Sequence, residues 1–214
     1  MPARKNTSLR ASVAKALSRM AVTDVHTHLY DPALGPLLLW GIDELLTYHY
    51  LVAELFRASP GLEPAKYWAM AKQDQADLIW RTLFVERSPL SEACRGVLTA
   101  MSALGLDPNV RDLRKARSFF RSLTARQYVD KVFKTARVER VYMTNDPLDP
   151  KERSAWERGF DRDPRFLAVL RLDSAFMGWP EGAERLRGLG YEVDDSLTGR
   201  TLDGVRRYLN DWCR

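Results

Sequence analysis

The sequence predicts an α/β fold in which a long helical region interrupts a parallel sheet. Residues 138–212 alternate short apolar, β-branched runs with amphipathic helical patterns, an order typical of parallel α/β construction because parallel strands need helical crossovers. Residues 43–136 consist instead of successive helical patterns, preceded by a short predicted strand at residues 21–26. A chain of 214 residues, 45% of them apolar, can bury a substantial core, so we expect one large domain or two small ones.

The helical region is predicted from apolar residues that repeat every three to four positions. Its first pattern places His49 on an apolar stripe. Thr124 and Gln127 form the capping-box signature of a helix start, since each side chain can bond the other residue's backbone. The predicted helices cover residues 43–56, 67–85, 91–104, 111–123 and 124–136.

The second half of the chain is predicted to hold two further strands, Val138–Met143 and Phe166–Leu170. Asp149 and Glu152 read as the N-cap and the capping-box acid of the helix between them. Two more helices follow, over residues 180–189 and 202–212. An open sheet of only three strands would leave edges and one face uncovered. We therefore expect more polypeptide, a partner that completes the sheet, or a small open fold.

These elements divide the chain into three segments. Residues 1–33 hold an N-terminal helix and the first strand, residues 34–136 form a helical insertion, and residues 137–214 form a βαβα segment. Residues 1–23 carry five basic residues and no acidic one, which suits a plain N-terminal helix and also a transit peptide.

Composition restricts the classes of function. No apolar stretch is long enough to span a bilayer. Cys94 and Cys213 lack metal or redox spacing, so we expect free thiols and a cytoplasmic location. The net charge of +5 favours anionic ligands. Five basic residues cluster in one helix but spread around it, so we expect a solvated face and no nucleic-acid partner. They are Arg111, Arg114, Lys115, Arg117 and Arg121.

The most informative residues are His26 and His28, which follow Asp24 at alternate positions. Alternate side chains of a strand share one face, so the two imidazoles are predicted to converge near the strand's carboxyl end. Imidazole suits zinc and neighbouring divalent ions, and a catalytic zinc ordinarily has three protein ligands. The pair therefore predicts half of a metal site, and the other interpretation is two hydrogen-bonded surface histidines.

Asp24, His26 and His28 resemble the opening Asp-x-His-x-His motif of the amidohydrolase superfamily of metal-dependent (β/α)8 barrels. Within that superfamily the sequence is similar to one family, the uronate isomerases. The similarity lies in a His-Tyr pair on a helix after the metal motif, a polar run ending in Asp-Pro after the second strand, an Arg-x-Asp run after the third, and a large helical insertion. These runs are His49-Tyr50, Thr144–Pro147 and Arg171–Asp173.

The chain departs from the family pattern at several positions and covers only its N-terminal half. The family has aspartate at the positions of Tyr48 and Asn145, proline at that of Leu172, and Lys-Trp in place of Leu51-Val52. Its second half supplies a third metal ligand, an aspartate, and further substrate-binding residues. The chain alone would lack these residues and could therefore be inactive.

The resemblance implies the N-terminal part of a TIM-like barrel with a large helical insertion between strands 1 and 2. It implies aldose–ketose isomerisation of a hexuronate such as glucuronate or galacturonate, with one divalent metal, expected to be zinc, on His26 and His28. Tyr50 and His49 would be catalytic. The substrate-binding residues would be Arg171, Asp173, Asp146 and Asn145.

Each of these residues also has an ordinary structural interpretation. His49 suits a buried, hydrogen-bonded position, and Tyr50 suits a half-buried one. Residues 144–147 are good turn formers, and Arg171 could pair with a nearby aspartate.

Two other functions use the same histidines: a metal-dependent hydrolase of the same superfamily, and a non-catalytic half-barrel that binds a partner. The partner of this chain would be a further copy of it in a homo-oligomer, or the missing C-terminal half of the barrel.

Overall fold

The computed structural model describes residues 3–196 and 198–213. The ends of the predicted segmentation, residues 1–2 and 214, lie outside the described residues. The chain forms two compact units. The helical unit contains the described residues up to Val22 together with Leu39–Val138, and the sheet unit contains Thr23–Leu38 and the described residues from Glu139 onward.

Most helices of the helical unit pack around one apolar cluster, whereas Leu9, Val13 and Leu17 of its first helix are exposed. Leu46, Leu55, Tyr67 and Ile79 are fully buried in the cluster, and Trp80 donates its indole N–H to the Val110 carbonyl. The helices are α1 Ala3–Leu17, α2 Ile42–Leu46, α3 His49–Ala58, α4 Pro64–Trp68, α5 Lys72–Ile79 with a π-helical continuation Trp80–Val85, α6 Glu92–Ala103, α7 Arg114–Arg121 and α8 Ala125–Ala136.

One predicted helix, residues 43–56, is interrupted, so its predicted continuity is wrong. The Thr47 hydroxyl donates to the Asp43 carbonyl, and Tyr48 has an extended backbone that starts α3 anew. At the start of α8 the expected capping box is present, because Thr124 and Gln127 exchange side-chain and backbone bonds.

Arg117 departs from the predicted solvated face of α7. Its side chain is only 14% exposed, and its guanidinium bonds the carboxylates of Asp43 and Asp77. The two acids lie 74 and 40 residues away in sequence, so local spacing could not reveal them. Arg117 therefore joins three helices by ion pairs rather than contributing to a free basic surface.

The sheet unit is built on a three-stranded sheet whose strands lie in the order β1-β2-β3. β2 and β3 are parallel, with the register running from Val141 opposite Phe166 to Asn145 opposite Leu170. The predicted α/β class with parallel strands is confirmed. The elements are β1 Val22–Asp24, a 3-10 turn Pro32–Leu37, β2 Val138–Asn145, α9 Pro150–Arg158, β3 Phe166–Leu170, α10 Asp173–Phe176, α11 Trp179–Gly188 and α12 Arg200–Trp212.

The core of this unit lies among α10, α11 and α12, where Leu186 and Tyr208 are fully buried. Two glycines allow close backbone approach. A Cβ on Gly182 would lie 2.0 Å from the Ala175 carbonyl oxygen, and one on Gly204 would lie 2.4 Å from that of Glu192. Both positions therefore require glycine for contact with the preceding segment.

None of the helices that the structure describes is both long and apolar enough to cross a membrane. Cys94 and Cys213 are free thiols, as predicted, and Cys94 is buried.

Candidate active site

His26 and His28 lie in a tightly turned loop directly after β1. Their ring centroids are 5.7 Å apart and the ring planes meet at 84°. The Asp24 carboxylate accepts the His26 backbone N–H at 3.1 Å, and the Thr27 hydroxyl accepts the Leu29 N–H at 3.0 Å. The two imidazoles are both exposed and lie side by side.

The two histidines lie close together, as predicted, but the predicted cause of their proximity is wrong. The strand ends at Asp24, so alternation along a strand does not align the histidines. Side-chain-to-backbone turns at Asp24 and Thr27 do so instead.

Within residues 3–196 and 198–213, no group of three or more His, Cys, Asp or Glu side chains is placed to hold a metal ion. A catalytic zinc site ordinarily needs three protein ligands. The described part of the chain therefore supplies a pair of imidazoles that fits part of a metal site but does not complete one.

Arg171 and Asp173 lie together just beyond the carboxyl end of β3. The Arg171 backbone N–H donates to the Asn145 carbonyl at 2.7 Å, and its Nε donates to Asp173 Oδ2, also at 2.7 Å. Both side chains are more than half exposed. The hydrogen bond to Asp173 raises the pKa of the Arg171 guanidinium, so it presents a fixed positive charge at this end of the sheet.

The Asn145 and Asp146 side chains take part in the local structure at the end of β2. Asn145 is 4% exposed and its amide donates to Glu152. Asp146 Oδ1 accepts the Leu148 N–H and the Ser174 hydroxyl, at 3.0 and 2.8 Å. These bonds fix the turn after β2 against α10, and the predicted substrate contacts of the two residues stay predictions.

Glu152 has a larger role than the sequence indicated. Its buried carboxylate accepts the Asn145 amide, the Asp146 backbone N–H and the Trp156 indole N–H. The expected capping box with Asp149 is wrong, because the Asp149 N–H donates to the Asp146 carbonyl instead. Glu152 therefore anchors the polar turn after β2 to the first turn of α9.

Tyr30 is a residue that the sequence reasoning missed. Its hydroxyl donates to the Thr144 carbonyl at 3.0 Å and links the histidine loop to the end of β2. Burial and, secondarily, the Glu152 carboxylate raise the pKa of Tyr30, while Arg171 opposes the shift. The next residue, Asp31, accepts the Ala33 and Asp163 N–H groups, so the loop is anchored at two points. The sequence signal was only an aromatic residue soon after the motif.

His49 and Tyr50 occupy the first turn of α3 in the helical unit. The two rings lie 4.1 Å apart between centroids, and the Tyr48 ring lies 4.2 Å from that of His49. Both residues are exposed, Tyr50 by 61%, so His49 is not the buried histidine and Tyr50 not the half-buried aromatic residue of the alternative interpretation. The three rings contact one another, and the side chains of His49 and Tyr50 are both accessible to solvent.

These features are typical of an α/β protein that binds its ligand at the carboxyl ends of its strands. An exposed imidazole pair follows the first strand, and polar turns follow the next two at the carboxyl ends of parallel strands. That edge is where open α/β sheets and α/β barrels bind their substrates.

Comparison with solved structures shows similarity to a uronate isomerase. A uronate isomerase from Bacillus halodurans C-125 (BH0493) is 48% identical to this chain, with a TM-score of 0.91. The match covers 96% of this chain and 49% of that one, so the chain spans about half the length of the isomerase. The similarity to the N-terminal half of a uronate isomerase, predicted from four short motifs, is confirmed. No protein-family model and no curated protein matches.

Proposed function

We propose that this chain is the N-terminal half of a uronate isomerase-type enzyme that interconverts an aldose and a ketose form of a hexuronate. The similarity to BH0493 over 96% of the chain carries the proposal, because at 48% identity it extends to both sequence and fold. In this proposal β1, β2 and β3 are the first strands of a (β/α)8 barrel, and the helical unit is the insertion between the first two.

His26 and His28 would hold one divalent metal ion, with zinc as the expected ion. When bound, such an ion acts as a Lewis acid that polarises a carbonyl or hydroxyl of the sugar. The 5.7 Å separation of the ring centroids supports a shared ligand role. The remaining ligands would come from outside the described residues.

Arg171 would bind the carboxylate of the sugar acid. Its planar guanidinium can make two parallel charge-assisted bonds to a carboxylate, which lysine cannot. Asp173 accepts from Nε and thereby fixes the orientation of the guanidinium. Asp146 and Asn145 would line the same end of the sheet, with Glu152 holding their turn in place.

Tyr50 would transfer a proton at the sugar or donate a hydrogen bond to the enediolate, and His49 would bind a hydroxyl or orient Tyr50. A phenolic O–H and an imidazole are suitable groups for proton transfer between neighbouring carbons. The exposure of both side chains and the 4.1 Å contact between their rings support this pairing. The substrate is then a small sugar acid in the cytoplasm, with neither nucleic acid nor membrane as a partner.

The test is turnover by a fused polypeptide in which this chain is followed by the second half of BH0493. Incubation with D-glucuronate and D-galacturonate should give the corresponding ketohexuronate. Hydrolysis of glucuronolactone without conversion of either uronate would overturn the proposal in favour of a hydrolase. No reaction with any of these would indicate a half-barrel that only binds.

Arg171→Lys in the fused polypeptide tests the carboxylate contact. We expect KM for the uronate to rise by about tenfold or more, since a bidentate charged contact is lost. The matched control is Arg206→Lys, because Arg206 also makes an exposed ion pair with a nearby aspartate, Asp203. Equal KM values for the two variants would contradict the assignment of Arg171.

A further inference from the structure

The last two residues of β2 connect two parts of the candidate site. The Tyr30 hydroxyl donates to the Thr144 carbonyl at 3.0 Å, and the Arg171 backbone N–H donates to the Asn145 carbonyl at 2.7 Å. Tyr30 ends the histidine loop, which we define as residues 25–30. The imidazole pair and the guanidinium are therefore both attached to one strand end, through neighbouring carbonyls.

These two carbonyls face opposite edges of β2. Val141 donates its N–H to the carbonyl of the residue before β3, so the odd-numbered residues of β2 bond toward β3. By alternation, the Thr144 carbonyl points to the other edge, on which β1 lies. β1 itself ends at Asp24. The Tyr30 hydroxyl therefore attaches the chain to β2 a second time, beyond the end of β1.

A different anchor follows the histidine loop at Asp31. Its carboxylate is 1% exposed and accepts the Asp163 N–H at 2.8 Å. Asp163 precedes β3 and so lies before the amino end of that strand, whereas Arg171 follows its carboxyl end. Asp31 thus holds the chain after the loop, while Tyr30 holds the loop at the end of β2 that also holds Arg171.

The segment between Tyr30 and the imidazoles is short and internally bonded. Tyr30 follows the second histidine by two residues, and the Asp24 and Thr27 side chains hold the two turns of the loop. A tyrosine side chain has few rotatable bonds, so a bond at its hydroxyl restricts its backbone closely. Release of Tyr30 would therefore displace the imidazole pair relative to β2 and leave both turns intact.

We propose that Tyr30 is a positioning residue, which fixes the separation between the imidazole pair and Arg171 through its bond to the Thr144 carbonyl. This inference rests on the proposed function, in which the pair holds a metal ion and Arg171 binds the sugar carboxylate. A uronate carries its carboxylate and its reacting carbonyl at opposite ends, so both contacts form together only at a suitable separation. Tyr30 acts through the loop and is assigned no contact with the sugar.

Paramagnetic relaxation measures this separation without turnover. Imidazole is a good ligand for Cu²⁺, so one equivalent of Cu²⁺ added to the chain should broaden the resonance of the Arg171 Nε–H. The rate measured for His26→Ala is subtracted, which removes the effect of copper bound elsewhere. Tyr30→Phe lacks the anchoring hydroxyl and frees the loop to move, so the remaining rate at Arg171 should change by about twofold or more.

Tyr191→Phe is the matched control. Tyr191 also lies in the sheet unit and donates its hydroxyl to a side chain, that of Asp211, at 3.3 Å. Its ring belongs to the core around α10, α11 and α12 and takes no part in the histidine loop. This variant should leave the copper-induced rate at Arg171 as it is in the unchanged chain.

Steady-state kinetics of the fused polypeptide distinguish positioning from a merely structural role. In Tyr30→Phe we expect kcat for the uronate to fall by about tenfold or more, while KM changes by less than about threefold, because Arg171 is retained and only the alignment is lost. The metal content should stay at about one ion per polypeptide. Tyr191→Phe should change neither constant.

Three results would overturn the proposal. They are an equal copper-induced rate at Arg171 in Tyr30→Phe and the unchanged chain, an equal change in Tyr30→Phe and Tyr191→Phe, and an undiminished kcat of Tyr30→Phe in an active fusion. The proposed function fails separately. A changed rate at Arg171 with no turnover by any fusion rejects only the function, and turnover with an unchanged rate rejects only the role of Tyr30.

Discussion

The helical unit and the sheet unit bury their apolar side chains to different degrees. In the helical unit, Leu46, Leu55 and Ile79 are fully buried around one cluster. In the sheet unit, the helices α10, α11 and α12 form a closed core, but β3 leaves Ala168 and Val169 exposed. The helical unit thus buries a core of its own, while the sheet unit carries the imidazole pair and Arg171 on a sheet that is covered only in part.

The comparison predicts that the largest loss of stability follows truncation in the helical unit. Leu55 is 0% exposed, so Leu55→Ala should lower the free energy of unfolding by about 2–5 kcal/mol through lost burial and a cavity. Val169→Ala should cost less than about 1 kcal/mol, because the side chain is already 42% exposed. Urea unfolding measures both. Equal losses would show that β3 is packed as tightly as the helical core.

The two units also use arginine differently, which predicts a smaller contrast. Arg117→Ala leaves Asp43, whose side chain is 20% exposed, without its main partner, so we expect a loss of about 2 kcal/mol. Arg171→Ala removes an exposed pair and should change stability by no more than about 0.5 kcal/mol. A stability loss at Arg171 as large as that at Arg117 would indicate a structural role and weaken its assignment to substrate.

The smallest expected effect is the change in the free energy of unfolding that accompanies ionisation of Tyr208 at alkaline pH. Burial raises the pKa of Tyr208 well above its usual value, so the folded state holds this proton more tightly than the unfolded state. Its contribution is therefore complete below pH 10, the ordinary pKa of tyrosine, and is lost as the pH rises toward the folded pKa.

Tyr208→Phe should reduce this alkaline loss. At pH 7 the variant should be unchanged or up to about 1 kcal/mol more stable, because the buried hydroxyl has no hydrogen-bond partner among the described residues. Tyr50→Phe, at an exposed position, is the control. Urea unfolding at pH 7 and pH 10.5 measures both variants, and identical pH dependence for Tyr208→Phe and the unchanged chain would contradict the assignment.

Elements determined by neighbouring residues could be predicted from the sequence. The capping box of Thr124 and Gln127 opens α8, and the apolar runs at residues 138–143 and 166–170 form β2 and β3. The break at Thr47–Tyr48 could not be predicted, because the helical period continues across it. The same holds for Gly182, whose necessity depends on the approach of Ala175.

The candidate site was predictable to a similar extent. The proximity of His26 and His28 was predicted from strand alternation, which is not its cause, because the strand ends at Asp24 and turns at Asp24 and Thr27 produce it. Tyr30 bonds a carbonyl 114 residues away, so no local pattern could reveal its partner. A third metal ligand could not be predicted from two histidines, and none is placed among the described residues.

The proposed function requires that His26 and His28 form half of a metal site that a second half completes. The most direct measurement is the metal content of the fused polypeptide beside that of its His26→Ala variant, with uronate turnover recorded on the same samples. We predict about one divalent ion per chain together with isomerisation, and loss of both in the variant. Equal metal content in the two proteins, or undiminished turnover by His26→Ala, would contradict the claim.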